Sequence, residues 1–475
     1  MNSGQGRPMA PLAPRVLLAL IAAAALSGCA TFSADGGFMT IEQTARERLG
    51  RDVQWQQTEA AGETARQRVA ELLANPLSVD DAVQVALLNN RGLQAAFSEL
   101  GIAEAEVVRA GRLPNPGFSF GRLTRGDEVE IERGVHFSLA RLIAMPWLSE
   151  IESRRFQRVQ REATLQMLRL AADTRKAWIT AVAAGETVRY MRQVQQSAEA
   201  GAELARRMAQ AGNWNRLNQA REQSFYADAA LNLARALRAQ DAARERLTRL
   251  MGLWGGQIAF RLPERLPDLP PSAQDLPAIE QTALQQRLDV QAAKLDAEQT
   301  AKNLGLTQAT RFINVLELGV VHNSSNEAPT QRGWELSFEL PLFDWGTARE
   351  RKAEAIYMQA LNRAAETAVN ARSEVREAYL ASRNSYDVAR HYRDEIVPLK
   401  KRISEENLLR YNGMLIGVFE LLADARSQIA GVNGYIEALR DYWLAQSDLD
   451  MALVGKPALG AAPAASVASS AAAAH

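Results

Sequence analysis

Two stretches of helix-forming sequence restrict the fold of this chain more than any other feature. Residues 148–210 contain no proline and few glycines, and residues 347–397 contain neither. Alanine, arginine, glutamate, glutamine and leucine, which all favour helix, dominate both stretches. Periodic helical sequence much longer than 25 residues is typical of coiled coils and helical arrays. We therefore predict long helices packed side by side, the second of which continues past Pro398 with a kink.

The last helical stretch carries the clearest packing seam. Its apolar residues advance by alternating steps of four and three, which places them in one stripe along a helix. Such a stripe indicates packing between helices rather than a ligand site. Its members are Val418, Leu422, Ala425, Ile429, Val432, Ile436, Leu439 and Trp443, and the polar Gln446 occupies the next position of the stripe.

Four short segments alternate between apolar and polar residues, which predicts β-strands. They cover residues 117–123, 134–141, 312–321 and 334–340. Polar joints at 122–133 and 322–333 make each successive pair a hairpin. Extended by a few residues, each strand reaches about ten residues, the length that crosses a bilayer at a tilt.

The polar positions of the second hairpin are acidic. Glu317, Glu335 and Glu339 alternate with apolar neighbours, so we predict one face towards water and one towards lipid. Two soluble hairpins that pack one face on a protein core remain an alternative. The membrane interpretation is favoured because the helices already use their apolar stripes on one another.

Four strands cannot close into a barrel by themselves. Open strand edges are not tolerated in hydrocarbon, because each unpaired amide costs several kcal/mol there. The barrel must therefore be shared between chains. Two chains supply eight strands, whose interior is filled by side chains, whereas three supply twelve and leave room for a lumen. Three chains are favoured.

The chain is also doubled. Ala86-Leu87 and Leu93-Gln94-Ala95-Ala96 recur 197 positions later as Ala283-Leu284 and Val290-Gln291-Ala292-Ala293. In each half, helix leads to alternating segments and then to two long helical stretches. The predicted organisation is a signal peptide (1–28), an extended N-terminal segment (29–76), a first repeat (77–262, strands about 115–142), a proline-rich linker (263–273), a second repeat (274–456, strands about 311–341) and a disordered alanine-rich tail (457–475).

The first residues predict export. Arg7 and Arg15 precede an apolar run at 16–26, which is too short to span a bilayer and is typical of a secretory signal. The only cysteine, Cys29, follows Leu-Ser-Gly, which resembles a bacterial lipobox. By that resemblance Cys29 carries lipid and becomes the mature N-terminus; a non-lipidated signal with an incidental cysteine is the alternative.

The composition excludes several other classes of function. Lysine and arginine total 55 and aspartate and glutamate total 55, so there is no excess of positive charge for nucleic acid. One cysteine and four scattered histidines give no metal-ligand spacing and no nucleophile–histidine pair. We therefore predict no catalytic residues, no metal site and no cofactor.

Three local motifs resemble the TolC-type outer membrane factor family, in its lipoprotein branch. They are Leu340-Pro341-Leu342-Phe343-Asp344-Trp345-Gly346, the segment 211–221, and Arg410-Tyr411 through Phe419-Glu420-Leu421-Leu422. The resemblance covers residues 77–455. It implies a mainly α-helical fold with a small β part: a long coiled-coil tunnel, and four transmembrane strands per chain in a twelve-stranded barrel shared by a homotrimer. It also implies an outer membrane location and two kinds of partner, a periplasmic adaptor and an inner-membrane transporter of the RND or ABC class.

The resemblance places the tunnel entrance at two helix–turn–helix tips, residues 208–218 and 411–420. The candidate gate and adaptor-docking residues are Gly212, Asn213, Asn218, Arg410, Tyr411, Glu420 and Asp424. We expect a polar network among Arg410, Tyr411, Glu420 and Asp424 that holds the tip closed. Three positions depart from the family pattern: Met414 stands where a glycine is common, and Asn218 and Glu420 stand where an aspartate is common.

The function predicted from these features is the outer membrane component of a tripartite efflux or secretion system, a passive conduit that breaks no bond. The alternative is a periplasmic coiled-coil scaffold or adhesin lipoprotein with soluble hairpins and no channel. The sequence favours no particular transported substrate.

Overall fold

The computed structural model of this protein describes residues 30–312 and 315–457. Cys29 and the predicted signal peptide lie outside the described residues. The same holds for Ile313, Asn314 and the predicted tail beyond Pro457.

The described chain is mainly helical with one small sheet, which confirms the predicted fold class. The helices are α1 (Met39–Leu49), α2 (Glu59–Leu73), α3 (Val79–Asn89), α4 (Arg91–Ala110), α5 (Leu139–Gln210), α6 (Arg216–Met251), α7 (Ile279–Gln286), α8 (Leu288–Thr310), α9 (Thr347–His391), α10 (Val397–Asn412) and α11 (Val418–Ala452). The strands are β1 (Gly117–Arg125), β2 (Glu128–Ser138), β3 (Leu316–Ser325) and β4 (Gln331–Phe338). A 3₁₀ turn spans Gly255–Ile258, and a π-helical turn, Tyr392–Ile396, joins α9 to α10. None of the described helices has an apolar stretch long enough to cross a membrane.

The order of elements repeats along the chain. Two short helices, a hairpin and long helices occur twice, first as α3 to α6 and then as α7 to α11. The short pairs break at equivalent places: Asn90 follows α3 with ψ 116°, and Arg287 follows α7 with ψ 124°. The doubling seen in a few sequence identities is therefore also a doubling of structure.

The chain divides into two compact units that do not follow the repeats. The sheet unit combines the chain up to Gly37 with Glu99–Val159 and Ala293–Ala364, and the helical unit contains Phe38–Ser98, Gln160–Ala292 and the chain from Ala365. Each unit takes residues from both repeats, because strands from both repeats pair in one sheet.

The first hairpin differs from its predicted boundaries. Its strands extend through most of the predicted joint at 122–133, leaving a two-residue turn at Gly126 and Asp127. Gly126 has φ +61°, a conformation that glycine adopts at little cost. The acidic residues of the predicted joint, Glu128, Glu130 and Glu132, are strand residues that face one side of the sheet.

The beginning of α5 also differs from the prediction. The second strand was expected to reach residue 141, yet the helix begins at Leu139. Ser138 explains the early start, because its hydroxyl accepts the backbone N–H of Arg141 at 3.4 Å. Pro146 then lies inside the helix and removes one hydrogen bond, that to the carbonyl of Leu142.

The second hairpin is shifted along the chain. β3 begins at Leu316 rather than at Phe312, and β4 ends at Phe338 rather than at Leu340. The loop between them is 326–330. Asn326 ties this loop to the first turn, because it accepts the N–H of Val129 at 2.8 Å and donates to the carbonyl of Asp127 at 2.8 Å.

The N-terminal segment is not extended throughout, since it contains α1 and α2. Thr58 caps α2 by accepting the N–H of Ala61. Ile41 of α1 and Val69 of α2 are fully buried in the helical unit. Their apolar stripes supply the burial that short helices need for stability.

The proline-rich linker is packed rather than free. Leu266 and Leu269 are buried in the core of the helical unit. Prolines leave backbone carbonyls available as acceptors: the indole N–H of Trp443 donates to the carbonyl of Pro267 at 3.0 Å, and the hydroxyl of Tyr386 donates to that of Pro271 at 2.9 Å.

The helix continues past Pro398 as predicted, through the π-helical turn and into α10. This turn packs closely on α11. A Cβ atom added at Gly434 would lie 2.8 Å from the ring of Tyr392, so only glycine permits this approach of the two helices. Ile436 and Leu439, members of the predicted seam, are buried beside it.

Candidate functional site

The four strands form one antiparallel sheet in the order β1-β2-β3-β4, and their register sorts the side chains onto two faces. Directly paired residues lie on the same face. The row Phe118, Val135, Val320 and Trp334 crosses all four strands and defines the apolar face. Further members of this face are Phe120, Val129, Ile131, Phe137, Leu316, Leu318, Leu336 and Phe338.

The apolar face is exposed within the described chain. Trp334 is 74% exposed, Phe118 68% and Val320 62%. Soluble monomers seldom expose so many contiguous large apolar side chains, and such patches mark contacts with protein or membrane. Within the described residues, the sheet unit supplies no core that covers this face. The soluble-hairpin alternative requires such a core.

The opposite face is acidic. Glu317 is paired with Ser337 and Glu335 with Gly319, so these two predicted residues lie on one face, as expected. Glu339 lies one residue beyond β4, where its N–H still donates to the carbonyl of Val315 at 3.3 Å. Sequence reasoning missed three more acids on this face: Glu128, Glu130 and Glu132 of β2. Their alternation with Val129 and Ile131 is the signal that could have found them.

Both edges of the sheet are open in the described chain, because β1 pairs only with β2 and β4 only with β3. Each edge therefore presents a row of backbone donors and acceptors that a further strand can satisfy. In the described residues, no cluster of His, Cys, Asp and Glu side chains is suited to holding a metal ion.

The joint between β4 and α9 explains the motif at 340–346. Gly346 has φ +74°, and a Cβ atom there would lie 2.6 Å from the carbonyl oxygen of Arg311. The carboxylate of Asp344 accepts the N–H of Gly346 at 2.8 Å. Trp345 packs edge-on against Phe312, with ring centroids 6.3 Å apart. Phe312 therefore belongs to this joint, whereas the sequence assigned it to a strand.

Exposed apolar side chains also surround this joint. Phe343 is 99% exposed, and Phe312 and Trp345 present part of their rings to solvent. Tryptophan and other aromatic residues are enriched at the two boundaries of a membrane. Ile143, Trp147, Leu340 and Leu342 are exposed in the same part of the sheet unit.

The first tip is a tight turn between α5 and α6. Gly212, two residues after the end of α5, has φ +78°. The N–H of Asn213 donates to the carbonyl of Met208 at 2.9 Å. Asn215 caps α6 by accepting the N–H of Asn218 at 2.8 Å. Asn218 thus serves the cap through its backbone, and the side chain of Asn213 is exposed.

The second tip joins α10 to α11. Met414 has φ +58° and is 94% exposed, at the position where the family pattern has glycine. The N–H of Met414 donates to the carbonyl of Tyr411 at 2.9 Å, and that of Leu415 to Arg410 at 2.8 Å. The turn therefore has its residue in the left-handed backbone conformation, but that residue is methionine, whose Cβ atom makes the conformation strained.

The four residues of the expected polar network do not bond one another within the described chain. Arg410 donates to Glu406 at 3.2 Å, one helical turn back. Asp424 has a buried Oδ2 atom without a hydrogen-bond partner, and Glu420 is exposed. Their role at the gate stays a prediction that concerns contacts beyond one chain.

Sequence reasoning missed the ion pair that joins the two tips. Glu222 of α6 is 1% exposed, and Arg426 of α11 donates to it at 2.7 Å. The guanidinium of Arg426 also lies over the ring of Phe225, 4.4 Å from its centroid. Glu222 and Asp424 each stand seven residues after the N-cap of their helix, so the two tips place an acid at equivalent positions. This equivalence could have drawn attention to Glu222 in the sequence, but not to its partner Arg426.

Residues 279–402 match the family model of the outer membrane efflux protein. A membrane protein from Pseudomonas aeruginosa has 21% identity, with 79% of this chain and 92% of that chain covered and a TM-score of 0.69. The CmeC outer membrane channel of Campylobacter jejuni has 18% identity, 79% and 85% coverage and a TM-score of 0.66. The MtrE outer membrane channel of Neisseria gonorrhoeae, in its open state, has 20% identity, 79% and 89% coverage and a TM-score of 0.65. No curated protein matches the chain. The fold is therefore that of outer membrane channels, and the predicted resemblance to the TolC-type family is confirmed.

Proposed function

We propose that this protein is the outer membrane channel of a tripartite efflux or secretion system. Three copies form a twelve-stranded barrel and a helical tunnel, and solute delivered by an inner-membrane RND or ABC transporter through a periplasmic adaptor diffuses through it. The lipidated Cys29 anchors the chain in the outer membrane, and the helices extend into the periplasm. No bond is made or broken.

One observation carries this proposal: the sheet has an apolar face, an acidic face and two open edges. Hydrocarbon excludes open edges but accepts a closed wall with apolar side chains outside and polar side chains inside. A sheet of four strands that ends in long helices can meet these conditions only by pairing with sister copies.

The acidic face then lines the lumen. Glu317, Glu335 and the three acids of β2 recur in every copy, so threefold symmetry turns each into a ring. Rings of carboxylates favour cations over anions. Glu339, just beyond β4, adds to the same side at the entrance from the helical tunnel.

The tips act as the periplasmic entrance in this proposal. Gly212, Asn213 and Asn218 in the first tip, and Arg410, Tyr411, Glu420 and Asp424 in the second, supply adaptor contacts and the gate. The buried and unpartnered oxygen of Asp424 has its donor in a neighbouring copy. The Glu222–Arg426 ion pair holds the two tips of one chain together.

Purified protein reconstituted in planar bilayers tests the proposal. We expect a detergent-stable trimer that conducts ions with a preference for cations. Glu317→Gln with Glu335→Gln should reduce that preference, while Glu47→Gln on α1 serves as a control outside the sheet. A monodisperse, non-conducting monomer would favour the scaffold alternative.

Labelling of whole cells tests the topology independently. A membrane-impermeant maleimide should label Ala328→Cys in the β3–β4 loop, because only a membrane-inserted barrel displays that loop outside the cell. Ala211→Cys at the first tip is the control and should react only after the outer membrane is permeabilised. Equal labelling of both variants in intact cells contradicts the proposed orientation.

A further inference from the structure

One cross-strand row of the apolar face is basic rather than apolar. Arg133 of β2 is paired with His322 of β3, and His322 with Arg332 of β4. Phe120 completes the row on β1. Arg122, two residues further along β1, adds a third guanidinium on the same face. Arg122, Arg133 and Arg332 are together called the basic row below.

The strands separate charge by face. All five acidic residues within them, Glu128, Glu130, Glu132, Glu317 and Glu335, point to the acidic face, and none points to the apolar face. Three of the four strand arginines nevertheless lie on the apolar face, and Arg125 is the exception.

Among the described residues, the arginines of the basic row have no partner of opposite charge. In the part of the chain that the structure describes, Arg122, Arg133 and Arg332 make no salt bridge and no side-chain hydrogen bond. All three are exposed. A protein that needed these charges only for solubility would not place them among exposed phenylalanines and a tryptophan.

The height of the basic row on the sheet matches a membrane boundary. Along β3, His322 lies six residues from Leu316, which corresponds to about 20 Å of strand. The exposed aromatic residues of the β4–α9 joint continue the apolar surface on the helix side. The apolar band of outer membrane barrels is about 25 Å tall. The basic row therefore lies towards the end of the band that faces away from the helices, where, in the described strands, Ile131 and Val129 of β2 are the only large apolar side chains of this face beyond Arg133.

We propose that the basic row binds the phosphate-bearing headgroups of anionic lipids in the outer leaflet of the membrane. The inference rests on the proposed function, because it requires the apolar face to contact lipid. Arginine suits this ligand because its planar guanidinium donates two parallel hydrogen bonds to a phosphate and remains charged at every relevant pH. The matching row on each copy surrounds the barrel with a ring of anion-binding sites.

Lipid retention measures this binding directly. The intact protein is reconstituted in bilayers of phosphatidylcholine with one fifth phosphatidylglycerol, re-extracted in mild detergent and weighed with its bound lipid by native mass spectrometry. We expect enrichment of phosphatidylglycerol over its share in the bilayer. Arg122→Gln, Arg133→Gln and Arg332→Gln should each lower that enrichment by about fivefold at low salt.

Arg125→Gln is the matched control, since Arg125 is exposed on the same hairpin but on the acidic face. It should retain the enrichment. Inorganic phosphate, added at the ionic strength of a chloride control, separates a headgroup site from a site for free phosphate. A site for free phosphate would lose its bound lipid in the phosphate buffer and keep it in the chloride buffer. That result would overturn the proposal.

Conductance in pure phosphatidylcholine separates the two proposals. Suppose that the wild-type protein conducts there but retains no excess of phosphatidylglycerol in the lipid-retention experiment. The proposed channel is then supported, and the basic row does not bind lipid headgroups. The same conclusion follows if Arg125→Gln loses as much enrichment as the three variants. If the protein conducts in no bilayer, the channel itself is refuted and the lipid site with it.

Discussion

At Met414, the second tip places an ordinary side chain in a backbone conformation that favours glycine. Its φ is +58°, and the equivalent position in the first tip is Gly212 with φ +78°. Nothing lies within 4 Å of a Cβ atom at Gly212, so a side chain there meets strain but no obstacle. The two tips therefore need the same left-handed residue, and only the first uses the residue that adopts it without strain.

Met414→Gly should stabilise the second tip, and Gly212→Ala should destabilise the first, each by about 1 kcal/mol. Hydrogen exchange of the Leu415 amide, which bonds to the carbonyl of Arg410, reports the first effect. Exchange of the Asn213 amide reports the second. Slower exchange in Gly212→Ala contradicts this account of backbone strain.

Near the end of α5, Glu203 accepts hydrogen bonds from Arg206 and Arg207 at 2.7–2.8 Å. These bonds, with the positive charges of the two arginines, lower the pKa of Glu203 to about 2. A lowered pKa stabilises the folded state above the ordinary carboxyl pKa, and that stabilisation is lost as the pH falls towards about 2.

The difference in thermal midpoint between the wild-type protein and Glu203→Gln should therefore be constant above about pH 4.5 and shrink below it. Unfolding in detergent, followed by circular dichroism between pH 2 and pH 7, measures it. In a background with both Arg206→Gln and Arg207→Gln, this pH dependence should largely disappear, because the pKa of Glu203 is then nearly the same in the folded and unfolded states. An unchanged difference down to pH 2 disagrees with the prediction.

At the scale of elements, single contacts decide how helices and strands join. Gly346 lets the chain turn from β4 into α9 against the carbonyl of Arg311. Ser138 starts α5 directly after β2. Arg426 joins α11 to Glu222 of α6. Each joins residues that are distant in sequence or changes the boundary of an element by several residues.

Gly346→Ala should destabilise the sheet unit by on the order of 2 kcal/mol, because it adds strain at positive φ to a clash with Arg311. Gly305→Ala is the matched control in the same unit. Gly305 lies in α8 with nothing within 4 Å of its Cβ position, so alanine should stabilise the helix slightly. Thermal unfolding of both variants in detergent checks the opposite signs.

Arg426→Met should destabilise the helical unit by on the order of 3 kcal/mol, because it leaves the buried carboxylate of Glu222 without a partner. Adding Glu222→Met should restore most of that loss, since an apolar pair replaces a buried ion pair at little cost. Denaturant unfolding of the single and double variants, as a double-mutant cycle, measures the coupling. Additive effects in the cycle would show that the two residues do not interact.

At the scale of the whole molecule, the two faces of the sheet demand different surroundings. One face carries twelve large apolar side chains, and the other carries five glutamates. Neighbouring positions on one strand should therefore respond oppositely to charge. Val320 lies on the apolar face and Val321 on the acidic face, which makes them a matched pair.

Val320→Lys should reduce the assembled membrane fraction, since a lysine that faces lipid between the midplane and the boundary of the bilayer costs about 1–2 kcal/mol. Val321→Lys should assemble normally, because its charge faces water and glutamates. Heat-modifiable mobility of the membrane fraction on gels measures assembly. Equal assembly of the two variants contradicts lipid contact at the apolar face.

The sequence by itself determined the classes of element and their order. Strand alternation and helix-forming composition are local properties, so Phe118, Trp334, Glu317 and Glu335 were assigned to faces before any contact was known. The tertiary structure decided the boundaries and the pairings. Glu128 to Arg133 looked like a polar loop until the register showed a strand with one acidic face, and Phe312 looked like strand until Trp345 packed against it. The Glu222–Arg426 pair and the unpartnered basic row could not be found in sequence. They depend on residues far apart in the chain, and only the packed backbone brings such residues together or keeps them apart.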